Sequence, residues 1–131
     1  MKNTRSWRNL ILSMATTLMI AGAAQAQTSS HLDTPLMVVR FNQERIYYQQ
    51  PLFNAISRAL EAKPGVMFNI ISLVPETGNK RADKKLSKEA HQTTEAFVGD
   101  MLKMGIPQNR IRVAYQPQPY IKANEVHLFV E

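Results

Sequence analysis

Val66-Met67-Phe68-Asn69-Ile70-Ile71-Ser72-Leu73-Val74 is the stretch on which the fold turns. It is the most apolar segment outside the N-terminal leader and lacks a clean two-residue alternation, which predicts a central strand covered on much of both faces. Pro75-Glu76-Thr77-Gly78-Asn79 interrupts it with turn-forming residues. From Lys80 to Met104 the period changes, and Leu86, Ala90, Phe97, Met101 and Met104 fall on one side of a helix. Gly105 stands where a left-handed cap residue belongs, and Pro107 prevents the helix from continuing.

Working outward, Leu36 to Asn42 is a short β-rich run between Pro35 and the polar Gln43-Glu44-Arg45. Pro51 suits the first turn of a helix, where a missing N–H costs nothing, and Leu52, Ile56, Ala59 and Leu60 form its apolar face. Lys63-Pro64-Gly65 stops that helix. On the C-terminal side, Arg110 to Tyr115 alternates with Ile111, Val113 and Tyr115 on one face, and Asn124 to Glu131 alternates through Val126, Leu128 and Val130. Both read as half-buried strands. Gln116-Pro117-Gln118-Pro119 lies between them as a stiff loop. The expected fold is α+β: a two-layer sandwich of order β-α-β-α-β-β, with a mixed sheet and two helices on one face.

The chain has 131 residues and no cysteine, so disulfides, thiol catalysis and thiolate metal sites are excluded together. Lys2, Arg5 and Arg8 form a positive head, Leu10 to Ala21 a mostly apolar middle, and Ala24-Gln25-Ala26 a small-x-small tail. That is the layout of a cleavable secretory signal over residues 1–26. The rival reading is an uncleaved anchor, but Ser13, Thr16 and Thr17 interrupt a middle that is short of the roughly 20 apolar residues of a spanning helix. Export to the periplasm, with no stable membrane span after cleavage, is the expectation. Residues 27–35 read as an exposed linker and 36–131 as one domain. The formal charge of +6 falls to +3 without the leader, because 13 basic residues then face 10 acidic ones. Such a balance suits anionic surfaces or cell-wall polymers, and in that compartment nucleic acid is not an expected partner.

Leu86-Ser87, then Met104-Gly105-Ile106-Pro107-Gln108-Asn109-Arg110-Ile111, then Asn124-Glu125-Val126-His127-Leu128 resemble the C-terminal domain family of outer membrane protein A. Phe41-Asn42 stands where that family has Phe-Asp or Phe-Asn, and the order of elements agrees across about residues 36–131. The resemblance implies non-covalent binding of peptidoglycan, in which an aspartate after the second strand and an arginine on the second helix clasp the charged ends of a diaminopimelate side chain. Neither is matched here. Ser72-Leu73-Val74-Pro75 replaces the loop that would carry the aspartate. The arginine position falls on Ala90 when counted from Leu86-Ser87 and on Thr93 when counted back from Gly105, and Glu125 stands for an arginine of the last strand.

Glu76 and Asn79 of the altered loop, with Arg81 and Lys84 of the helix start, are therefore the candidate ligand-binding residues. Glu76 with Arg81 or Lys84 can supply a relocated anion and cation pair, or these charges can simply solvate a helix start. Tyr47, Tyr48 and Tyr120 are candidate partner contacts, an apolar ring with a wet hydroxyl suiting a protein surface or a stacked sugar; the competing reading places such rings at the ends of the core. His31, His91 and His127 lack the local pairing of zinc sites, so no metal or other cofactor is expected. Ser57, Ser72 and Ser87 sit in no nucleophile motif. The expected function is a non-catalytic binding or scaffolding module of the bacterial envelope that contacts peptidoglycan or an envelope protein complex. The alternative is a small cell-wall-modifying hydrolase.

Overall fold

A computed structural model of the chain describes residues 34–131; the expected leader over 1–26, the expected linker up to residue 33 and His31 lie outside the described residues. The elements follow in the order β1 (Met37–Arg40), α1 (Gln49–Ala62), β2 (Phe68–Pro75), α2 (Lys80–Lys103), a 3-10 turn (Gln108–Arg110), β3 (Ile111–Gln118) and β4 (Glu125–Val130). The four strands form one mixed sheet in the order β1-β4-β2-β3, with β4 antiparallel to both neighbours and β2 parallel to β3. The α+β sandwich expected from the sequence is the observed fold.

The period-two rule assigns the faces of the sheet. Phe68, Ile70 and Ser72 of β2 and Val126 and Leu128 of β4 are fully buried against the helices, joined by Val39 of β1. Leu52 and Ile56 of α1 and Phe97 and Met101 of α2 close the core from above. A buried hydroxyl pair fixes α2 on the sheet, Thr94 Oγ1 donating to Ser72 Oγ at 3.0 Å.

The ends of the helices follow local chemistry. Pro51 lies in the first turn of α1, whose first hydrogen bond runs from Leu52 N–H to Tyr48 O at 2.8 Å. Asn79 caps α2 by accepting from the N–H groups of Arg81 and Ala82. At its other end Gly105, with φ of 93°, donates to Leu102 O, while Ile106 donates to Met101 O. This pair of bonds is the Schellman closure, and Met101 and Ile106 pack in the core beside it.

Two expectations require correction. β2 is not covered on both faces: the helices lie on one side, and Ile71 and Leu73 point to the other, where neighbouring side chains leave them half-buried. β3 is not a half-buried strand either. Ile111, Val113 and Tyr115 share the helix-side face, yet Val113 and Tyr115 are 41% and 37% exposed, because β3 is an edge strand that α2 covers only in part, through His91 on Tyr115. The segment Gln116–Gln118, expected as a loop, continues β3 in register with Leu73–Pro75 of β2.

Removing one member of the Thr94–Ser72 pair strands the other in the core, which costs roughly 1–3 kcal/mol. Thr94→Val and Ser72→Ala are each expected to lower stability on that scale, and the double variant by clearly less than their sum. A double-mutant cycle by urea unfolding measures the coupling.

Candidate functional site

Because β4 runs against both β1 and β2, the C-terminal ends of β1, β2 and β3 meet the start of β4 at one end of the sheet. The loops after β1 and before β4 are tied there by Phe41 N–H donating to Asn124 O at 2.9 Å. Across them lies α2, whose Leu86, Glu89 and Thr93 recur at helical spacing on one face. These three segments enclose a groove described by two adjoining volumes, one of about 340 Å³ and one of about 420 Å³. Phe41, Gln43, Glu44, Glu89 and Asn124 border both volumes.

Asn124 is the unusual residue of this groove. The residue is only 5% exposed, and its Nδ2 donates to Leu86 O at 3.1 Å, which fixes the amide orientation. Its Oδ1 is buried and accepts no hydrogen bond. Such an orphan acceptor is costly to maintain, and native interiors hold few of them. Around it stand Glu44, Glu89 and Lys122. Glu89 is paired with Lys85 at 3.8 Å along the helix, and its side chain keeps 46% of its exposure. Among the described residues no ion pair joins Lys122 to either carboxylate. The groove thus offers carboxylates and a separate ammonium over a buried, unpaired acceptor, and these charges suit a ligand that carries both signs.

The residues singled out in the sequence lie elsewhere. Glu76 borders a smaller pocket of about 300 Å³ with Asp83, Ser87, Tyr115 and Pro117, on the β3 side of α2. Asn79 is occupied as the helix cap. Arg81 and Lys84 are exposed and line neither this pocket nor the groove. Asp83 accepts from both the N–H and the hydroxyl of Thr77, and these bonds hold its carboxyl below the usual aspartate range.

Of the three tyrosines, Tyr47 and Tyr120 are 80% and 92% exposed and remain available for contacts. Tyr48 is not a contact residue. It is buried against Phe97 with ring centroids 5.2 Å apart, and its hydroxyl donates to Asp100 Oδ2 at 2.8 Å. Burial, that bond and the Asp100 charge all raise its pKa, so the phenol stays neutral. Of the two positions matched to the family arginine, Ala90 is fully buried and Thr93 borders the groove.

The histidines have structural surroundings. His91 stacks on Tyr115 at 4.0 Å, and its Nδ1 lies 2.8 Å from Ser87 O. On the outer sheet face, Glu125 bonds His127 Nε2 at 2.7 Å and accepts from Arg40 Nε at 2.9 Å. Among the described residues no group of three or more His, Cys, Asp or Glu side chains is placed to hold a metal ion, and no helix is long and apolar enough to cross a membrane.

Sequence reasoning missed the combination of Glu44, Glu89, Lys122 and Asn124. Asn124 was visible at the start of the last strand, but its buried amide depends on Leu86, 38 positions away. The chain matches no protein-family model, no curated protein and no solved structure.

Burial alone raises the Glu125 carboxyl, but the bonds and charges of His127 and Arg40 outweigh it and hold the group below its ordinary value of 4.5. A depressed folded value gives stability that is complete above 4.5 and is lost as pH falls from there through the folded value. Thermal unfolding across this acid range is expected to show a shallower loss in Glu125→Gln than in the parent chain.

Proposed function

We propose that this chain is a non-catalytic binding module of the bacterial cell envelope and that the groove around Asn124 is its ligand site. The observation that carries the reading is the buried Asn124 Oδ1, which accepts no bond and stands among Glu44, Glu89 and Lys122. Because this oxygen is closed to solvent, a ligand N–H bonds it only when the residues over it shift, and that bond then offsets its desolvation. The leader of residues 1–26 supports delivery to the periplasm, where peptidoglycan offers stem peptides with free ammonium and carboxylate groups.

The resemblance to the outer membrane protein A terminal domain supports the same ligand class, with a different set of charges taking the part of the family's clasp. Binding is favoured over hydrolysis because the sequence holds no nucleophile motif, and the two carboxylates of the groove are read as ligand acceptors. Its lining supplies hydrogen-bond acceptors and an ammonium, while His91 and His127 are placed on Tyr115 and on the outer sheet face. The cations Lys80, Arg81, Lys84, Lys85 and Lys88 at the start of α2 add a field that draws anionic polymers toward this end of the molecule.

Co-sedimentation with purified peptidoglycan sacculi tests the reading. The purified chain is expected to pellet with sacculi and to release no soluble fragments. A hydrogen bond to a charged group contributes roughly 1.5–3 kcal/mol, so Glu89→Gln and Lys122→Ala should each weaken binding about tenfold or more. Arg81→Ala should leave it within about twofold, as a cation acting only through the long-range field. Failure of the parent chain to pellet would sink cell-wall binding, and fragments in the supernatant would establish hydrolysis instead.

A further inference from the structure

The two edges of the sheet differ. β1 is four residues long, follows Pro35 directly after Leu36, and ends at the charged Arg40. β3 is eight residues long, carries Arg112 as its one charge, and among the described residues has no strand on its outer side. Native proteins ordinarily shorten, charge or cover such edges, because unpaired backbone groups template pairing with another chain.

The hydrogen-bond parity of β3 can be followed residue by residue. Glu76 N–H donates to Gln118 O at 3.0 Å, so Gln118 turns its peptide groups toward β2. The register between β2 and β3 runs unbroken from Phe68–Ile111 to Pro75–Gln118. Even-numbered residues of β3 therefore face β2, and odd-numbered residues direct their N–H and C=O groups to the open edge. Pro117 is odd-numbered, so its missing N–H lies on the solvent side, where an edge strand tolerates it. Val113 and Tyr115 are left presenting unpaired backbone groups and side chains that are 41% and 37% exposed.

We propose that β3 pairs antiparallel with β3 of a second copy of this chain, about a two-fold axis through Ala114. In that register Val113 of each copy faces Tyr115 of the other, and each such pair exchanges both backbone hydrogen bonds through the groups that the open edge presents. The same pairing sets a β-branched residue beside an aromatic one, a favourable cross-strand combination. Arg112 faces Gln116, so the register brings no like charges together. Ala114, small and exposed, lies at the axis where the two backbones approach most closely. The self-complementarity of one short stretch in side chain, charge and backbone parity points to a second copy as the occupant, in place of an unrelated extended peptide. The two four-stranded sheets become one continuous sheet.

Cysteine cross-linking and sedimentation test the register, and the absence of native cysteine makes each introduced thiol unique. Opposed residues of a non-hydrogen-bonded antiparallel pair have Cα atoms about 4.5 Å apart, within disulfide range. Ala114→Cys is expected to form a disulfide-linked dimer on mild oxidation. Arg112→Cys, whose copies lie about 13 Å apart in this register, should not. The parent chain should sediment at twice the mass of one chain at about 100 μM, a concentration typical of weak association. Val113→Pro removes an edge N–H without touching the ladder to β2 and should sediment as a monomer with unchanged far-UV dichroism. A monomeric parent chain leaves the edge to some foreign strand and overturns the proposal. It is equally overturned if Arg112→Cys cross-links as readily as Ala114→Cys, or if a folded Val113→Pro remains dimeric. Should Val113→Pro fail to fold, the paired cysteine variants alone decide.

Discussion

The hydrogen bond between Thr94 and Ser72 fixes where the long helix lies on the sheet, and the placement of the groove depends on it. Both hydroxyls are almost wholly excluded from water. A slide of α2 by one turn would move it about 5.4 Å and leave two buried polar groups without partners. Apolar contacts alone discriminate poorly between such registers, since Phe97 and Met101 could exchange neighbours at modest cost. The hydroxyl pair makes one register much better than its alternatives. Thr93 and Glu89 lie just before it on the same helix, so their position over Asn124 is set by the same contact.

A second constraint comes from inserting β4 between β1 and β2. The last strand must return from the exposed end of β3 and pass Asn124 before it enters the sheet. Asn124 is drawn beneath α2 because its Nδ2 satisfies the Leu86 carbonyl. The geometry that gives Nδ2 a partner leaves Oδ1 without one. The same arrangement also spaces the charges, since Lys122 arrives on the β3–β4 connection while Glu44 arrives on the connection after β1.

Much of the architecture was legible in the sequence because its signals are local. The helical period of Lys80 to Met104 and its end at Gly105 appear as expected, the latter with the positive φ that the cap requires. What was illegible depends on what lies opposite a residue. The alternation of Ile111, Val113 and Tyr115 identifies a face, but alternation does not say whether a helix covers it. Tyr47 and Tyr48 are adjacent and chemically identical, yet one is exposed and the other is held by Phe97 and Asp100. Glu76, Asn79, Arg81 and Lys84 were grouped by proximity in sequence. In the fold Asn79 is taken up as the helix cap and Glu76, Arg81 and Lys84 are exposed, while the groove draws on residues from three distant segments.

The groove and the open edge lie on opposite sides of the sheet, the first beside β1 and β4 and the second along β3. The proposed pairing through β3 would therefore leave both grooves free. Peptidoglycan repeats its stem peptides along a glycan, so a ligand held in one groove raises the local concentration of the next stem near the other. Where the spacing permits both to engage, avidity can exceed the affinity of one groove by about 10²–10⁴-fold without any new contact. Weak single-site binding by a shallow, partly open groove is then compatible with firm retention on a polymer, and the need for tight charge complementarity at each site is correspondingly relaxed. On the proposed reading, two grooves joined through β3 can hold a repeating polymer more firmly than either groove alone, without charge pairs beyond those that Glu44, Glu89 and Lys122 supply.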